Sequence, residues 1–141
     1  MATRTHAREM VIELLYAYSL GNDNIFKFVD ELMKNRKIRN AQADFAKGLF
    51  NGVIENLSTI DKAIKSTLKS WDFDRLGIID KCILRLGVYE ILYSNTDTPI
   101  IINEAIEISK ILGDDNTPKF INGVLDAVNK NASNKDKNEQ N

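Results

Sequence analysis

Cysteine, histidine and tryptophan each occur once in these 141 residues, and proline only twice. One cysteine excludes an internal disulfide framework and a cysteine-based zinc site. So few prolines, with seven glycines mostly between periodic segments, favour helices. No window approaches the run of ~20 apolar residues that a membrane span needs. Met1 to Leu20 is broken by Arg4, Arg8, Glu9 and Glu13, so it does not read as a signal peptide. The expectation is a cytoplasmic chain with no membrane contact. An excess of one charge is also missing: the net charge is −1 and the pI near 5.9. A strong general nucleic-acid binder would be basic. If RNA is bound, local patches must do it, with modest affinity alone, and a partner protein can supply the missing contacts.

What is present is helical periodicity. Hydrophobic content of 43% and charged content of 28% suit a single soluble domain with a usable core. Val11, Leu14, Leu15 and Tyr18 recur at helical spacing, so a first helix runs from about Thr5 to Leu20, ended by Gly21 as a left-handed residue. Asn22 or Asp23 can cap a second helix with Phe26, Val29, Leu32 and Met33 on its face. Phe45, Leu49, Val53 and Leu57 mark a third. Ser58 and Asp61 resemble a capping box before a fourth, which carries Ile60, Ile64 and Leu68. The segment from Trp71 to Gly77 breaks the pattern and divides the chain in half. A fifth helix, Leu76 to Tyr93, is apolar on nearly every side and therefore buried on every side. It is the expected central element between two packed bundles. A sixth covers Ile102 to Leu112 and stops at Gly113; Thr117 caps a seventh with Pro118 at its first position. Asn129 to Asn141 is polar and poor in the apolar surface that ordering needs. The reading is all-α: about seven helices in two packed three-helix bundles around a central buried helix, with a folded domain over 1–130 and a disordered tail over 131–141. Strand alternation and internal repeats are absent.

Enzyme chemistry finds little support. His6 sits at the fraying start of the first helix, where a general base would lack a partner and a pocket. Cys82 lies on the buried stripe and reads as a small core hydrophobe. Gly48, Gly52, Gly77 and Gly87 lack the spacing of a phosphate-binding loop. Glu104 and Glu107 read as a solvated helix face. No catalytic residue, metal ligand or cofactor is expected.

Binding groups are easier to find. Arg4 and Arg8, four apart at a helix start, repel one another and face the positive end of the helix dipole. An external anion explains such a pair better than a core does; the bland alternative is a solvated turn. Tyr16 lies roughly 150° from the main stripe at 3.6 residues per turn, as a contact edge or a second buried edge. Lys34 to Arg39 puts four cations into six residues. It could touch phosphates, although such runs are more often solvated. Phe120 stands roughly 90° off the Ile121, Val124, Leu125, Val128 stripe, between Lys119 and Asn122. A ring, a cation and an amide together suit single-stranded nucleic acid, the ring as a stacking surface.

Several strings occur in a fixed order: Ala7 to Glu9 then Leu15-Tyr16, Leu84-Arg85 then Tyr89-Glu90, Ile102 to Glu107, and Lys119 to Asp126. As a set, over about Arg4 to Val128, they resemble the NusB family of transcription antitermination factors. The resemblance implies an all-helical protein of two three-helix bundles that is not an enzyme. It implies binding of the boxA element of nascent ribosomal RNA together with NusE, the ribosomal protein that doubles as a transcription factor. It further implies entry into an RNA polymerase antitermination complex; in some such families a homodimer hides the RNA surface. The family's basic arm maps onto Arg4 and Arg8, with Thr5 and His6 where other members often carry arginine, and Lys34 to Arg39 as a source of compensating charge. Lys119, Phe120 and Asn122 match RNA-facing positions. Tyr16 and Asp80 match positions linked to NusE, Asn116 lies near the same partner, and Arg85 falls where the surfaces join. A similar module fronts larger ribosomal RNA methyltransferases, but that reading needs a catalytic domain with a methyl-donor site. The remaining alternative is a helical protein–protein scaffold without RNA binding.

Overall fold

The structure, a computed structural model, describes residues 3–69 and 72–139. Among them are seven α-helices and no strand: α1 (Arg4–Ser19), α2 (Ile25–Asn35), α3 (Asn40–Glu55), α4 (Leu57–Lys65), α5 (Ile78–Tyr93), α6 (Thr98–Leu112) and α7 (Thr117–Glu139). A 3-10 turn, Phe73–Arg75, occupies the break between the halves; Trp71, which opens that break in the sequence, lies outside the described residues. None of the described helices is long and apolar enough to cross a membrane.

The helix ends follow local chemistry. The Thr3 hydroxyl accepts from the His6 N–H at 3.2 Å, and the His6 Nδ1 accepts from the Thr3 N–H at 3.3 Å. This is a capping box with histidine in the place usually held by glutamate. At the other end of α1, Gly21 takes φ +89°. Its N–H donates to the Tyr18 carbonyl and that of Asn22 to the Ala17 carbonyl, a Schellman arrangement that only a residue tolerant of positive φ closes cheaply.

Three expected caps are placed differently. Ser58 lies inside α4, not before it. Asp61 turns instead to the Arg85 guanidinium at 2.9 and 3.0 Å, because a charged donor binds a carboxylate more strongly than a backbone N–H does. Helix α2 begins at Ile25 after Asn24, and Asn24 makes no side-chain cap. Before α7, the Asp114 carboxylate accepts from the N–H groups of Asn116 and Thr117 at 2.9 and 3.2 Å, so Asp114 serves the turn ahead of Thr117. Helix α6 starts four residues earlier than Ile102, with Pro99 in its first turn. Helix α7 runs past Lys130 to Glu139, so the backbone is helical where a disordered tail is expected. Extending a formed helix adds a hydrogen bond for each residue fixed, whereas nucleating one does not. Gln140 and Asn141 lie outside the described residues.

Helix α5 is the axis of the molecule. It packs against α1, α3, α4, α6 and α7, and Cys82, Ile83, Leu84, Leu86 and Val88 are all buried along it. Helices α1 and α3 pack together, α2 packs on α1, and α6 packs on α7. Close approach is made by two glycines. A Cβ on Gly52 of α3 would fall 2.2 Å from Cζ of Tyr89, and one on Gly87 would fall 2.9 Å from a Leu125 methyl of α7. These absent side chains let α3 and α7 lie directly on α5.

Gly52→Ala is expected to lower unfolding free energy by about 1–3 kcal/mol through overpacking against Tyr89. Urea denaturation of the two proteins side by side measures it; equal midpoints would mean that the ring moves aside freely.

Candidate nucleic-acid interface

The N-terminal arm divides into residues that face out and residues that face in. Arg4 is exposed, with its guanidinium 4.7 Å from the centre of the Phe45 ring on α3. That cation–π contact fixes the side chain while leaving the charge at the surface. His6 is exposed and occupied as the cap of α1. Thr5 turns inward, and its hydroxyl donates to the Glu104 carboxylate on α6 at 2.9–3.0 Å.

Arg8 overturns the expectation of an exposed phosphate contact. It is 2% exposed. Its Nε donates to Glu90 Oε2 at 2.9 Å and its Nη2 to Glu90 Oε1 at 2.7 Å, a bidentate pair with a glutamate that is also 2% exposed. Glu104 approaches the remaining nitrogen at 4.0 Å, and the Phe45 ring lies 5.2 Å from the guanidinium. An anion does answer the cation at the helix start, but it belongs to the protein. Two charges so deeply buried are tolerable only when paired and hydrogen-bonded.

The other candidate residues gather near the opposite end of α5. Asp80, in its first turn, is half-buried. Its carboxyl is raised above the ordinary carboxylate range by burial first and by the Asp114 carboxylate second, against a hydrogen bond from Thr117 that lowers it. The Thr117 hydroxyl also reaches Asp114 at 3.2 Å. Asp80 is thereby brought to the turn that carries exposed Asn116 and leads to exposed Lys119. Phe120 is half-buried, with part of its ring packed against the core, and Asn122 is exposed beyond it. Tyr16 is 38% exposed, one turn before Ser19. The Ser19 hydroxyl lies 4.0 Å from the Cys82 sulfur, which places this end of α1 beside the start of α5. Burial pushes the Cys82 thiol up to about 11, in keeping with an inert core residue. Arg85 is held by Asp61 and lies 5.6 Å from the centre of the Phe73 ring, on the α4 side of α5.

The structure therefore brings Asp80, Asn116 and Lys119 into one neighbourhood and sets Arg4 and His6 apart from them. From Asp80 to Glu90 is about 15 Å along the helix axis at 1.5 Å per residue. Glu90 and Phe45, which help organise the N-terminal arm, were not among the candidates, and Glu104, expected on a solvated face, is instead half-buried against Thr5 and Arg8. Glu90 carried a signal: a carboxylate within the apolar C-terminal half of α5 is expected to be buried, and a buried carboxylate needs a cation.

A family model described as the NusB family matches residues 5–130. Among curated proteins, the chain is 57% identical over 134 residues to the transcription antitermination protein NusB of a Nitratiruptor species, covering 95% of this chain and 96% of that protein. It is 59% identical over 128 residues to the protein of the same description from Aliarcobacter butzleri, covering 91% and 98%. Among solved structures, it is similar to a chain of antitermination factors NusB and NusE in complex with double-stranded RNA. That match has a TM-score of 0.81 at 28% identity and covers 90% of this chain and 96% of that one.

Arg8→Ala is expected to destabilise the fold by about 3–5 kcal/mol by leaving Glu90 buried without its partner, whereas Arg8→Met combined with Glu90→Leu should lie near wild type. Denaturant titrations of the three proteins test this, and a stable Arg8→Ala would remove the pair from its structural role. Asp80→Asn should behave in the opposite sense. A carboxyl raised in the fold is destabilising once ionised, so Asp80 contributes most at low pH and loses that contribution as pH rises through its raised value. The asparagine variant should therefore melt higher than wild type at neutral pH. The difference should vanish below the unfolded value of 3.8. Melting curves across that range decide it.

Proposed function

The chain belongs to the NusB family of transcription antitermination proteins, and we propose that it binds a single-stranded boxA element of nascent ribosomal RNA together with the ribosomal protein NusE. The complex joins elongating RNA polymerase in the cytoplasm and suppresses termination. The protein acts as a binding adaptor and not as a catalyst.

The observation that carries the RNA reading is the start of α7. Phe120 is half-buried between exposed Lys119 and Asn122, so part of a ring held by the core is left at the surface beside a cation and an amide. A base can stack on such a ring while the lysine meets a phosphate. Arg4 and His6 extend the RNA path at the far end of α5. Thr5 and Arg8 act through the fold, by holding α1 on α5 and α6. Tyr16, Asp80 and Asn116 form the surface for NusE, with Arg85 and its Asp61 partner at the margin. A near-neutral net charge accords with RNA affinity that depends on this second protein.

Titration of a boxA-type single-stranded RNA, with and without NusE, tests the proposal. Tighter binding in the presence of NusE is expected. No binding under either condition would leave a protein–protein scaffold as the function. The variant Phe120→Leu separates stacking from packing, since leucine keeps apolar contact with the core but offers no ring. Its affinity for the RNA is expected to fall by about 1–3 kcal/mol, with the melting temperature little changed. Undiminished affinity would move the RNA away from α7.

A further inference from the structure

The cationic run between α2 and α3 has no part in the interface described so far, yet it lines a groove. His6, Arg36, Lys37, Arg39, Asn40, Ala41 and Gln42 enclose an open recess of about 790 Å³ beside the exposed start of α1. That volume is on the scale of small-ligand sites, but the recess is open to solvent rather than enclosed, so an extended chain can lie in it. Its walls carry three cations, an imidazole and two amides, so besides the apolar stems of those side chains it offers a ligand positive charge and hydrogen-bonding groups. Arg36 is engaged with Glu13 at 2.8 Å. Among the described residues, Lys37 and Arg39 make no ion pair, and both are exposed. Gln42 Oε1 is buried there without a hydrogen-bond partner.

Local structure does not explain these side chains. Helix α2 ends in a Schellman arrangement: the Ile38 N–H donates to the Met33 carbonyl and the Lys37 N–H to the Lys34 carbonyl. Ile38 is 4% exposed and pins the loop to the core. Lys37 occupies the left-handed position at φ +58°, where glycine is the residue that fits without strain. Arg39 occupies the N-cap of α3 and makes no cap, where serine, aspartate or asparagine would. Two consecutive helix boundaries thus carry cations in place of the residues that would stabilise them. Departures from local backbone and capping preference concentrate at functional sites.

We propose that this groove is a second RNA-binding subsite, in which Lys37 and Arg39 hold phosphodiesters of the strand that continues past Arg4 and His6. Contact is through the backbone and carries no base preference. The inference rests on the RNA reading given above and extends it to a segment of RNA flanking the recognised element.

The test uses the full chain with NusE and two single-stranded RNAs, one limited to the recognised element and one extended at either end. Lys37→Gly/Arg39→Ala should bind the extended RNA severalfold more weakly than wild type and the short RNA equally well. The salt dependence for the extended RNA should fall by about 1.4, two phosphate contacts at roughly 0.7 each for a single strand. Lys37→Gly alone should raise the melting temperature while lowering affinity for the extended RNA, which a merely structural lysine would not do. Equal affinity and equal salt slope for wild type and double variant on both RNAs would overturn the subsite. If Phe120→Leu still loses affinity in that case, the RNA reading stands and only the groove falls. Wild type failing to bind either RNA would overturn both. An oligoglutamate peptide that displaces the extended RNA at equal charge, and loses this ability with the double variant, would reassign the groove to acidic protein.

Discussion

An arginine buried among apolar helices is tolerable only if a fixed anion meets it, and the pairing of Arg8 with Glu90 is the constraint around which this molecule is arranged. The pair joins α1 to α5, and Glu104 and Phe45 bring α6 and α3 to the same guanidinium. Close packing of the core side chains, with glycines where α3 and α7 meet α5, already limits how these helices slide. A bidentate ion pair in a low-dielectric interior adds a directional limit, since displacement leaves a charge unpaired at a cost of several kcal/mol. The pair therefore fixes where α1 sits, and with it where Arg4 and His6 emerge.

Helix α5 transmits that placement to the other end of the protein. Its C-terminal half receives Arg8, its middle accepts α3 and α7 at Gly52 and Gly87, and its first turn presents Asp80 to Thr117 and Asp114. The two groups of candidate RNA contacts are thereby held apart on one rigid element. Near Asp80 two carboxylates share a single hydroxyl. The unfavourable proximity of like charges there, beside exposed Asn116, fits a surface that a partner completes.

Much of the plan is visible in the chain itself. The period of Val11, Leu14 and Leu15 announces α1, the positive φ at Gly21 follows from a glycine after a helix, and the all-round apolarity of Ile78 to Tyr93 announces a central helix. The strings that resemble the NusB family lie where the family match falls. These features are local or depend on composition along one element, so a single stretch of sequence contains the information.

What tertiary structure alone decided is which charges are spent. Arg4 and Arg8 look alike at the start of a helix, with the same spacing and the same dipole, yet one stays at the surface over Phe45 and the other is sealed against Glu90, 82 residues away. Asp61 looks like a helix cap and is instead the partner of Arg85. Lys37 and Arg39 look like part of a solvated run, and Ile38 between them turns that run into the wall of a groove. Sequence periodicity reports which face of a helix is apolar, because that follows from 3.6 residues per turn. It does not report which neighbouring helix covers the boundary of that face, and a charged side chain at the boundary becomes a binding group or a buried pair according to that neighbour.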